Sequence, residues 1–246
     1  MSSVIDVTVS ALEAAAHDSF DWKARVYCKK QNATCPGPEE APADAVTLQT
    51  DPNEGREGDS MLRYIIENYA DLPDYVLFTQ AQPNVFEAWP QRLAQFSDDV
   101  RVIALGNTDA CGCNGCYVQE GGMLRLRELY VMATQQMCDT EFMAYFNGQM
   151  LVSRDAILKQ ELSMYQLLFS LLHAPKEHYI HRDLCQKHLR RSLKNRAADV
   201  CAKIDKVVPI SEHDNQNPLF LHILERSWSF MFGCENARGP ICVNQK

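Results

Sequence analysis

The sequence contains no apolar run long enough to cross a membrane, because no window approaches eighteen consecutive apolar residues. Residues 1–19 also lack the basic start and the long apolar core of a signal peptide. We therefore expect no transmembrane segment in this chain. If the protein is secreted or luminal, its targeting segment lies outside this sequence.

Several short motifs that mark common enzyme classes are also missing. The chain has no G-x-S-x-G of the serine hydrolases, no phosphate-binding P-loop and no G-x-G-x-x-G dinucleotide fingerprint. The spacing His178-x-x-His181 differs from the H-E-x-x-H of metalloproteases. The sequence therefore predicts none of these four kinds of site.

Positive charge is scarce, with 24 Lys and Arg against 32 Asp and Glu and a net charge of -8. This balance argues against a nucleic-acid partner, which usually requires a basic surface. Residues 176–206 are a local exception, with nine basic and four acidic residues. This stretch is either the solvated face of a helix or a face that binds phosphate or an anionic polymer.

Cysteine is abundant, with 10 residues in the chain. An even number favours disulfides in an oxidising compartment, and Asn32-Ala33-Thr34 is a glycosylation acceptor sequence. Both features favour the secretory-pathway lumen or the extracellular space, with the cytoplasm as the alternative. The spacing Cys111-x-Cys113-x-x-Cys116, with Cys138 further on, fits disulfides, a structural zinc site or free thiols.

Helical and strand patterns alternate along the chain, which predicts one α/β domain over residues 1–246 with a mostly parallel central sheet flanked by helices. Residues 31–52 are predicted to be an irregular loop, and residues 106–122 a Cys-rich loop. We predict strands at 4–9, 24–28, 75–78, 100–105 and, as one or two strands with a turn at Asn147-Gly148, at 142–152. We predict helices from Asp59 or Ser60, over 123–136, near 153, over 165–173, near 189–206 and over 218–232.

The most informative segment, residues 53–83, contains a polar loop, an amphipathic helix and a buried strand. Asn53, Gly55 and Arg56 lie at the start of the helix, where free N–H groups and the helix dipole favour an anion. These residues suit the diphosphate of a nucleotide sugar, which Arg56 could bind with two hydrogen bonds. Alternatively, Arg56 and Glu57 form only a helix cap and a surface pair.

The strand of this segment ends in Gln80-Ala81-Gln82, where α/β sheets commonly bind ligands. Side chains two residues apart on a strand point to the same side. Carboxylates here would hold a divalent cation, but amide oxygens are weak ligands for Mg²⁺ or Mn²⁺. A metal cofactor is therefore doubtful. Gln80 and Gln82 are instead suited to sugar hydroxyls, or are simply hydrogen-bonded residues at a strand end.

Two further groups carry polar side chains at helix positions. His222, Glu225 and Arg226 share one face of the last predicted helix, so Glu225 is a candidate general base or part of a surface ion pair. Ser153 is predicted to cap a short helix that begins with Arg154 and Asp155. The small polar loop before the strand that leads into this helix is a candidate contact for an acceptor. Alternatively, this second group is only an ordinary helix cap.

The motifs Asn53-x-Gly55-Arg56-Glu57 and Leu72-Pro73-Asp74-Tyr75-x-x-Phe78-x-Gln80 resemble an uncharacterised family known mainly from fungi, algae and other microbes. It is the family named domain of unknown function 3431. Segments 150–157 and 224–233 also fit its pattern, so the resemblance spans most of the chain in the right order. The name implies little about activity.

A fold-level resemblance to GT-A glycosyltransferases implies more. The loop, helix, strand and polar tip of residues 53–82 are similar to the donor half of those enzymes, and the strand ending in Ser153-Arg154 to their acceptor half. Two departures are evident: Gln80 and Gln82 replace the metal-binding carboxylates, and residues 84–87 lack the His that the family often carries after the tip.

The resemblance implies a GT-A-like sandwich that handles a nucleotide sugar together with a glycan or another hydroxyl acceptor. Its candidate substrate-binding residues are Asn53, Arg56, Gln80, Gln82, Arg154 and Arg226. Its candidate catalytic residues are Glu57, Glu87 and Glu225. The alternatives are a non-catalytic relative that binds a carbohydrate or a protein, and a hydrolase that uses acidic or His residues.

Overall fold

The structure is a computed structural model that describes residues 23, 25–28, 46–49, 55–80, 83, 85–112, 115–116, 124–139, 141–175, 178, 180 and 219–243. Several predictions fall outside these residues. They are the strand at 4–9, the glycosylation sequence at Asn32, the helix near 189–206, and the candidate ligands Asn53 and Gln82.

The described elements include both helices and strands, which confirms an α/β protein. The strands are β1 (Arg25–Cys28), β2 (Val46–Gln49), β3 (Tyr75–Phe78), β4 (Val100–Ala104), β5 (Thr108–Gly112), β6 (Gly115–Cys116), β7 (Phe142–Tyr145), β8 (Met150–Ser153) and β9 (Ile241–Val243). The helices are α1 (Arg56–Asn68), α2 (Trp89–Leu93), α3 (Leu124–Thr134), α4 (Arg154–Ile157), α5 (Leu162–Leu172) and α6 (Leu219–Met231), with 3-10 turns at Tyr69–Asp71 and Phe86–Ala88.

The described strands form three sheets. The central sheet has the order β3-β8-β4-β9, a second has the order β6-β5-β7, and β1 pairs with β2. All pairings in the first two sheets are antiparallel, whereas β1 and β2 are parallel. The prediction of a mostly parallel sheet is therefore wrong for these strands, because β8 returns between β3 and β4 and runs against both.

The central sheet is covered on both faces, as its apolar strands predict. On one face, Val76, Val102 and Val152 pack in the larger core, to which α1, α3, α5 and α6 contribute. On the other face, Ile103 and Leu151 pack with α2 and the segment that follows it in a smaller core. Alternate residues of one strand thus enter different cores.

Helix α1 starts earlier than predicted. Its N-cap is Gly55, which has a φ of 65°, rather than Asp59 or Ser60. Asp59 is instead only 1% exposed and bonds through Oδ1 to Arg63 Nη2 at 3.3 Å and to His173 Nε2 at 3.0 Å. A carboxylate bonded to an arginine and a histidine is held in the interior, so it is not available to cap the helix.

Both predicted loops contain strands. Strand β2 lies within residues 31–52, and β5 and β6 lie within residues 106–122. These strands are short and lie among loop-forming residues, which are prolines and acids around β2 and glycines and cysteines around β5 and β6. Their surroundings therefore resemble loops in sequence. The helix ends were predicted more closely: Ser153 accepts a hydrogen bond from Ala156 N at the start of α4, and Gly233, with a φ of 73°, follows α6.

Four of the described cysteines are oxidised. Cys234 and Cys242 form a disulfide that joins the end of α6 to β9, and Cys111 and Cys138 are also disulfide-bonded. This confirms the disulfide interpretation at these positions and excludes Cys111 and Cys138 as zinc ligands. Within the described ranges, no helix is long and apolar enough to cross a membrane.

Candidate functional site

The candidate site is built around the turn that connects β7 to β8. Asn147 and Gly148 have φ values of 68° and 57°, so the chain reverses through two left-handed residues, as the Asn-Gly pair predicts. A Cβ atom at Gly148 would lie 3.0 Å from Glu57 Cγ and 3.2 Å from Met61 Sδ. The turn is therefore packed directly against the first two turns of α1.

Two hydrogen bonds join the turn to residues that are distant in sequence. Gln80 Nε2 donates to the main-chain oxygen of Asn147 at 2.9 Å. The main-chain N–H of Asn147 donates to Glu225 Oε1 at 2.6 Å. Gln80, the predicted strand-end amide, and Glu225, the predicted general base, are thus both hydrogen-bonded to the main chain of Asn147.

Glu225 lies in a buried polar cluster on α6. Its Oε2 is 3.4 Å from Arg226 Nη1 and 4.0 Å from His222 Nδ1. Arg226 is 3% exposed, donates to the main-chain oxygen of His222 at 2.7 Å, and lies over the Phe146 ring with its guanidinium carbon 4.9 Å from the centroid. The surface ion pair considered from the sequence is therefore an interior one.

The environment of Glu225 favours its neutral form. Burial raises the pKa of Glu225, and the nearby Glu57 raises it further. Arg226, the Asn147 N–H and Arg56 act in the opposite direction without cancelling the effect of burial. Burial also lowers the pKa of Arg226, against the effect of Glu225. Burial thus stabilises the protonated form of Glu225 relative to a carboxyl group in water.

One buried oxygen of the turn has no hydrogen-bond donor. Asn147 Oδ1 is buried and has no hydrogen-bond partner among the described residues. An unsatisfied buried acceptor is uncommon in folded proteins and calls for an explanation. A ligand hydroxyl or N–H group that reached the turn would satisfy it.

The start of α1 brings two more candidates to the site. Glu57 lies against the turn, since its Cγ would be 3.0 Å from a Cβ atom at Gly148. Arg56 is exposed and has a φ of 44°, an unusual value for a residue other than glycine. Both influence the charge of Glu225, which places them in the same electrostatic neighbourhood.

Two candidates are not joined to this cluster by any contact among the described residues. Glu87 is exposed on a 3-10 turn. Arg154 lies at the far end of β8 from the turn, where its Nε donates to Leu72 O at 2.7 Å and its Nη2 pairs with Asp74 at 3.0 Å. Arg154 therefore fastens the start of β3, which separates it from Gln80 by the length of that strand.

Arg226 has a different environment from the one expected of a substrate-binding residue. Its guanidinium is enclosed by His222, Glu225 and Phe146. In the part of the chain that the structure describes, no group of three or more His, Cys, Asp or Glu side chains is placed to hold a metal ion.

Sequence reasoning identified the Asn147-Gly148 turn and gave the polar loop there an acceptor contact as one interpretation, but did not connect it with Gln80 or Glu225. Asn147 is the residue that connects Gln80 with Glu225, and Phe146 supports Arg226. The available signal was the position of an Asn-Gly turn between two apolar strands, next to the strand that ends at Gln80. That signal predicts a turn, but contacts between residues 147 and 225 depend on how α6 packs.

Residues 10–121 match the model of a family described as "Protein of unknown function (DUF3431)". The match includes the segment 53–80 that carries the main motifs, while segments 150–157 and 224–233 lie outside it. No curated protein and no solved structure matches the chain.

Proposed function

Because residues 10–121 carry a domain of the DUF3431 family, whose description names no activity, we propose a function from the site itself. The protein binds a nucleotide sugar and transfers the glycosyl group to a hydroxyl acceptor, with Glu225 as general base. The observation that carries this proposal is the contact of Asn147 N–H with Glu225 Oε1, which brings a carboxylate next to the strand end at Gln80.

The raised pKa of Glu225 supports its role as a base. Efficient general bases have a pKa close to the working pH, and a buried carboxyl reaches that range more readily than an exposed one. Its side chain is 15% exposed, so a ligand can approach it. Asn147 holds Oε1 by a short hydrogen bond, so Oε2, which accepts a longer one from Arg226 Nη1 at 3.4 Å, is the oxygen that takes the proton.

The reaction follows from these roles. Glu225 Oε2 removes the proton of the acceptor hydroxyl, and the oxygen forms a bond to the anomeric carbon of the donor sugar. The bond from that carbon to the diphosphate breaks, and the diphosphate leaves with the electron pair. Asn147 Oδ1 supports recognition of the ligand, because it is a buried acceptor suited to a sugar hydroxyl.

Arg56 and the N-terminus of α1 support binding of the diphosphate. Gly55 caps the helix without a side-chain hydrogen bond, so no side chain of the N-cap residue satisfies the N–H groups of the first turn. An exposed Arg next to such a terminus suits a phosphate group. Asn53, outside the described residues, stays a predicted diphosphate ligand, and Gln82 a predicted sugar ligand.

A GT-A-like fold is part of this proposal. Two features support it: β1 and β2 are parallel, and β3 and β4 run in the same direction on either side of β8. The oxidised cysteines support the accompanying proposal of a secretory-pathway or extracellular location.

A thermal-shift screen of nucleoside diphosphate sugars, with and without Mn²⁺, tests the proposal. We expect at least one donor to raise the melting temperature of the wild-type protein. Arg56→Ala should weaken that donor about tenfold or more through the lost phosphate contact. Asn147→Gly keeps the left-handed turn and its N–H but removes Oδ1, so it should weaken a sugar-bearing ligand more than the free nucleoside diphosphate.

Glu225→Gln separates binding from transfer. The amide retains an oxygen for the Asn147 N–H but cannot act as a base, so the donor should still bind while transfer to a hydroxyl acceptor is lost. Binding without transfer in the wild-type protein would favour the non-catalytic relative that binds carbohydrate. The absence of any stabilising nucleotide sugar would refute the proposal.

A carbohydrate hydrolase is a second candidate, favoured by the effect of Glu57 on the pKa of Glu225. Two neighbouring carboxyl groups, one with a raised pKa, are the usual catalytic pair of glycoside hydrolases. Glu225 would then protonate the leaving oxygen, and Glu57 would act on the opposite side. Release of the chromophore from aryl glycosides, abolished in both Glu57→Gln and Glu225→Gln, would support this candidate over the first.

A further inference from the structure

We propose that Gln80 is a positioning residue for Glu225, which it holds in place through the main chain of Asn147. The inference rests on the proposed role of Glu225 and gives Gln80 a task other than direct contact with a sugar or metal. The side-chain amide of Gln80 donates to the main-chain oxygen of Asn147, and the main-chain N–H of Asn147 donates to the carboxylate of Glu225.

The hydrogen bond to Asn147 accounts for an amide, rather than a carboxylate, at position 80. The Asn147 main-chain oxygen only accepts hydrogen bonds, so its partner must carry a donor. The carboxylate of an Asp or Glu would offer none. It would also add a negative charge close to Glu225, where Glu57 already raises the pKa. An amide thus satisfies the turn without disturbing the charge of the site.

The pairing of β3 with β8 keeps Gln80 next to the turn. Phe78, the last residue of β3, pairs with Met150, the first residue of β8. Gln80, just after β3, therefore lies beside the turn, just before β8. Gln80 is partly buried, which limits competition from water for its hydrogen bond. A turn fixed on one side by Gln80 presents its N–H to Glu225 in one orientation.

The prediction concerns the titration of Glu225. Its pKa depends on burial and on the charged groups Arg226, Glu57 and Arg56. His222, whose Nδ1 lies 4.0 Å from Glu225 Oε2, is a further titratable group that faces it. The hydrogen bond from Asn147 lowers the pKa of Glu225. If Gln80 maintains that bond, losing the amide donor weakens it, and the pKa of Glu225 rises further.

The experiment is a ¹³C NMR pH titration of protein labelled at the Glu side-chain carboxyl carbon, with Glu225 identified as the signal missing in Glu225→Gln. Gln80→Met removes the donor and should shift the Glu225 titration upward. Gln80→Glu removes the donor and adds a charge, so its upward shift should be larger. Gln80→Lys restores a donor and adds a positive charge, so its titration should lie at or below that of the wild type.

Gln95 offers a matched control. Its Nε2 also donates to a main-chain oxygen, that of Gln91 at 3.2 Å, but on an exposed surface. Gln95→Met and Gln95→Glu should leave the Glu225 titration unchanged. All variants are compared below their melting temperatures, where a general loss of stability does not move one carboxyl pKa.

The outcomes separate this inference from the proposed function. The titration requires no ligand, so a failed nucleotide-sugar screen leaves it interpretable. Wild-type titration of Glu225 in both Gln80→Met and Gln80→Glu would overturn the positioning role, as would an upward shift in Gln80→Lys equal to that in Gln80→Met. Neither result would bear on whether a nucleotide sugar binds.

Discussion

Asn147 and Glu225 are 78 positions apart, yet the main-chain N–H of one lies 2.6 Å from Oε1 of the other. The contact joins the left-handed turn between β7 and β8 to the middle of α6. It makes the charge of a buried carboxyl depend on a backbone conformation. The site can therefore be probed through stability and titration before any ligand is known.

Glu225→Gln should change the dependence of stability on pH. Because burial raises the pKa of Glu225, the folded protein binds this proton more tightly than the unfolded chain. The contribution of Glu225 to the free energy of unfolding therefore falls as pH rises from the ordinary value of 4.5 through the folded-state pKa. The loss is about 1.4 kcal/mol for each unit by which the two pKa values differ.

Urea unfolding between pH 4 and about 8 measures this effect. The variant lacks the titrating group, so its stability relative to the wild type should improve as pH rises. Gln166→Ala, which removes no ionisable group from an exposed position on α5, is the control and should show a constant difference. A constant difference for Glu225→Gln as well would contradict the expected elevation.

Gly148→Ala should destabilise the fold by about 1–3 kcal/mol, because it combines an unfavourable φ with a close contact. The added methyl group would meet Glu57 and Met61, whose nearest atoms lie at 3.0 and 3.2 Å. Gly239→Ala is the control, since a Cβ there has nothing within 4 Å and should change stability little. Equal stability of the two variants would show that the turn is not tightly packed.

Asp59→Asn should lower the free energy of unfolding by about 2 kcal/mol. The change removes the charge that pairs with Arg63 and His173, both of which remain partly exposed and can regain some hydration. Asp98→Asn, at an exposed position, should have an effect below about 0.5 kcal/mol. Chemical denaturation at neutral pH distinguishes the two, and a wild-type value for Asp59→Asn would mean that the buried pairs contribute nothing net.

Arg154→Ala should reduce stability by about 1 kcal/mol without weakening a nucleotide sugar. Its hydrogen bond to Leu72 O and its pair with Asp74 secure the start of β3, at the end of that strand opposite Gln80. The thermal-shift titration used for Arg56→Ala provides the measurement. Loss of donor affinity comparable to that of Arg56→Ala would restore Arg154 to the substrate-binding residues.

The sequence predicted the local elements of the site well. Short apolar runs located β3, β4 and β8, the Asn-Gly pair located the turn, and Ser153 located the start of α4. These features depend on neighbouring residues and on intrinsic conformational preferences, which a sequence displays directly.

Strand direction and cross-chain contacts were harder to predict. The direction of β8 between β3 and β4 is set by packing, because a short apolar strand suits a parallel or an antiparallel sheet equally. The residue type and position of Asp59 predicted a helix cap, yet it pairs with His173, 114 positions away. Arg226 was predicted to bind the substrate, and the packing of α6 buries its side chain. In each case a distant segment decides the environment.

The Cys234–Cys242 disulfide also concerns how this protein behaves at high concentration. Strand β9 has three residues and pairs with β4 at one border of the central sheet. A short border strand separates easily, and a vacated border recruits strands from neighbouring molecules. Because a covalent bond ties β9 to the end of α6, β4 stays occupied during thermal fluctuations, and intermolecular strand addition there is suppressed as long as the bond is oxidised.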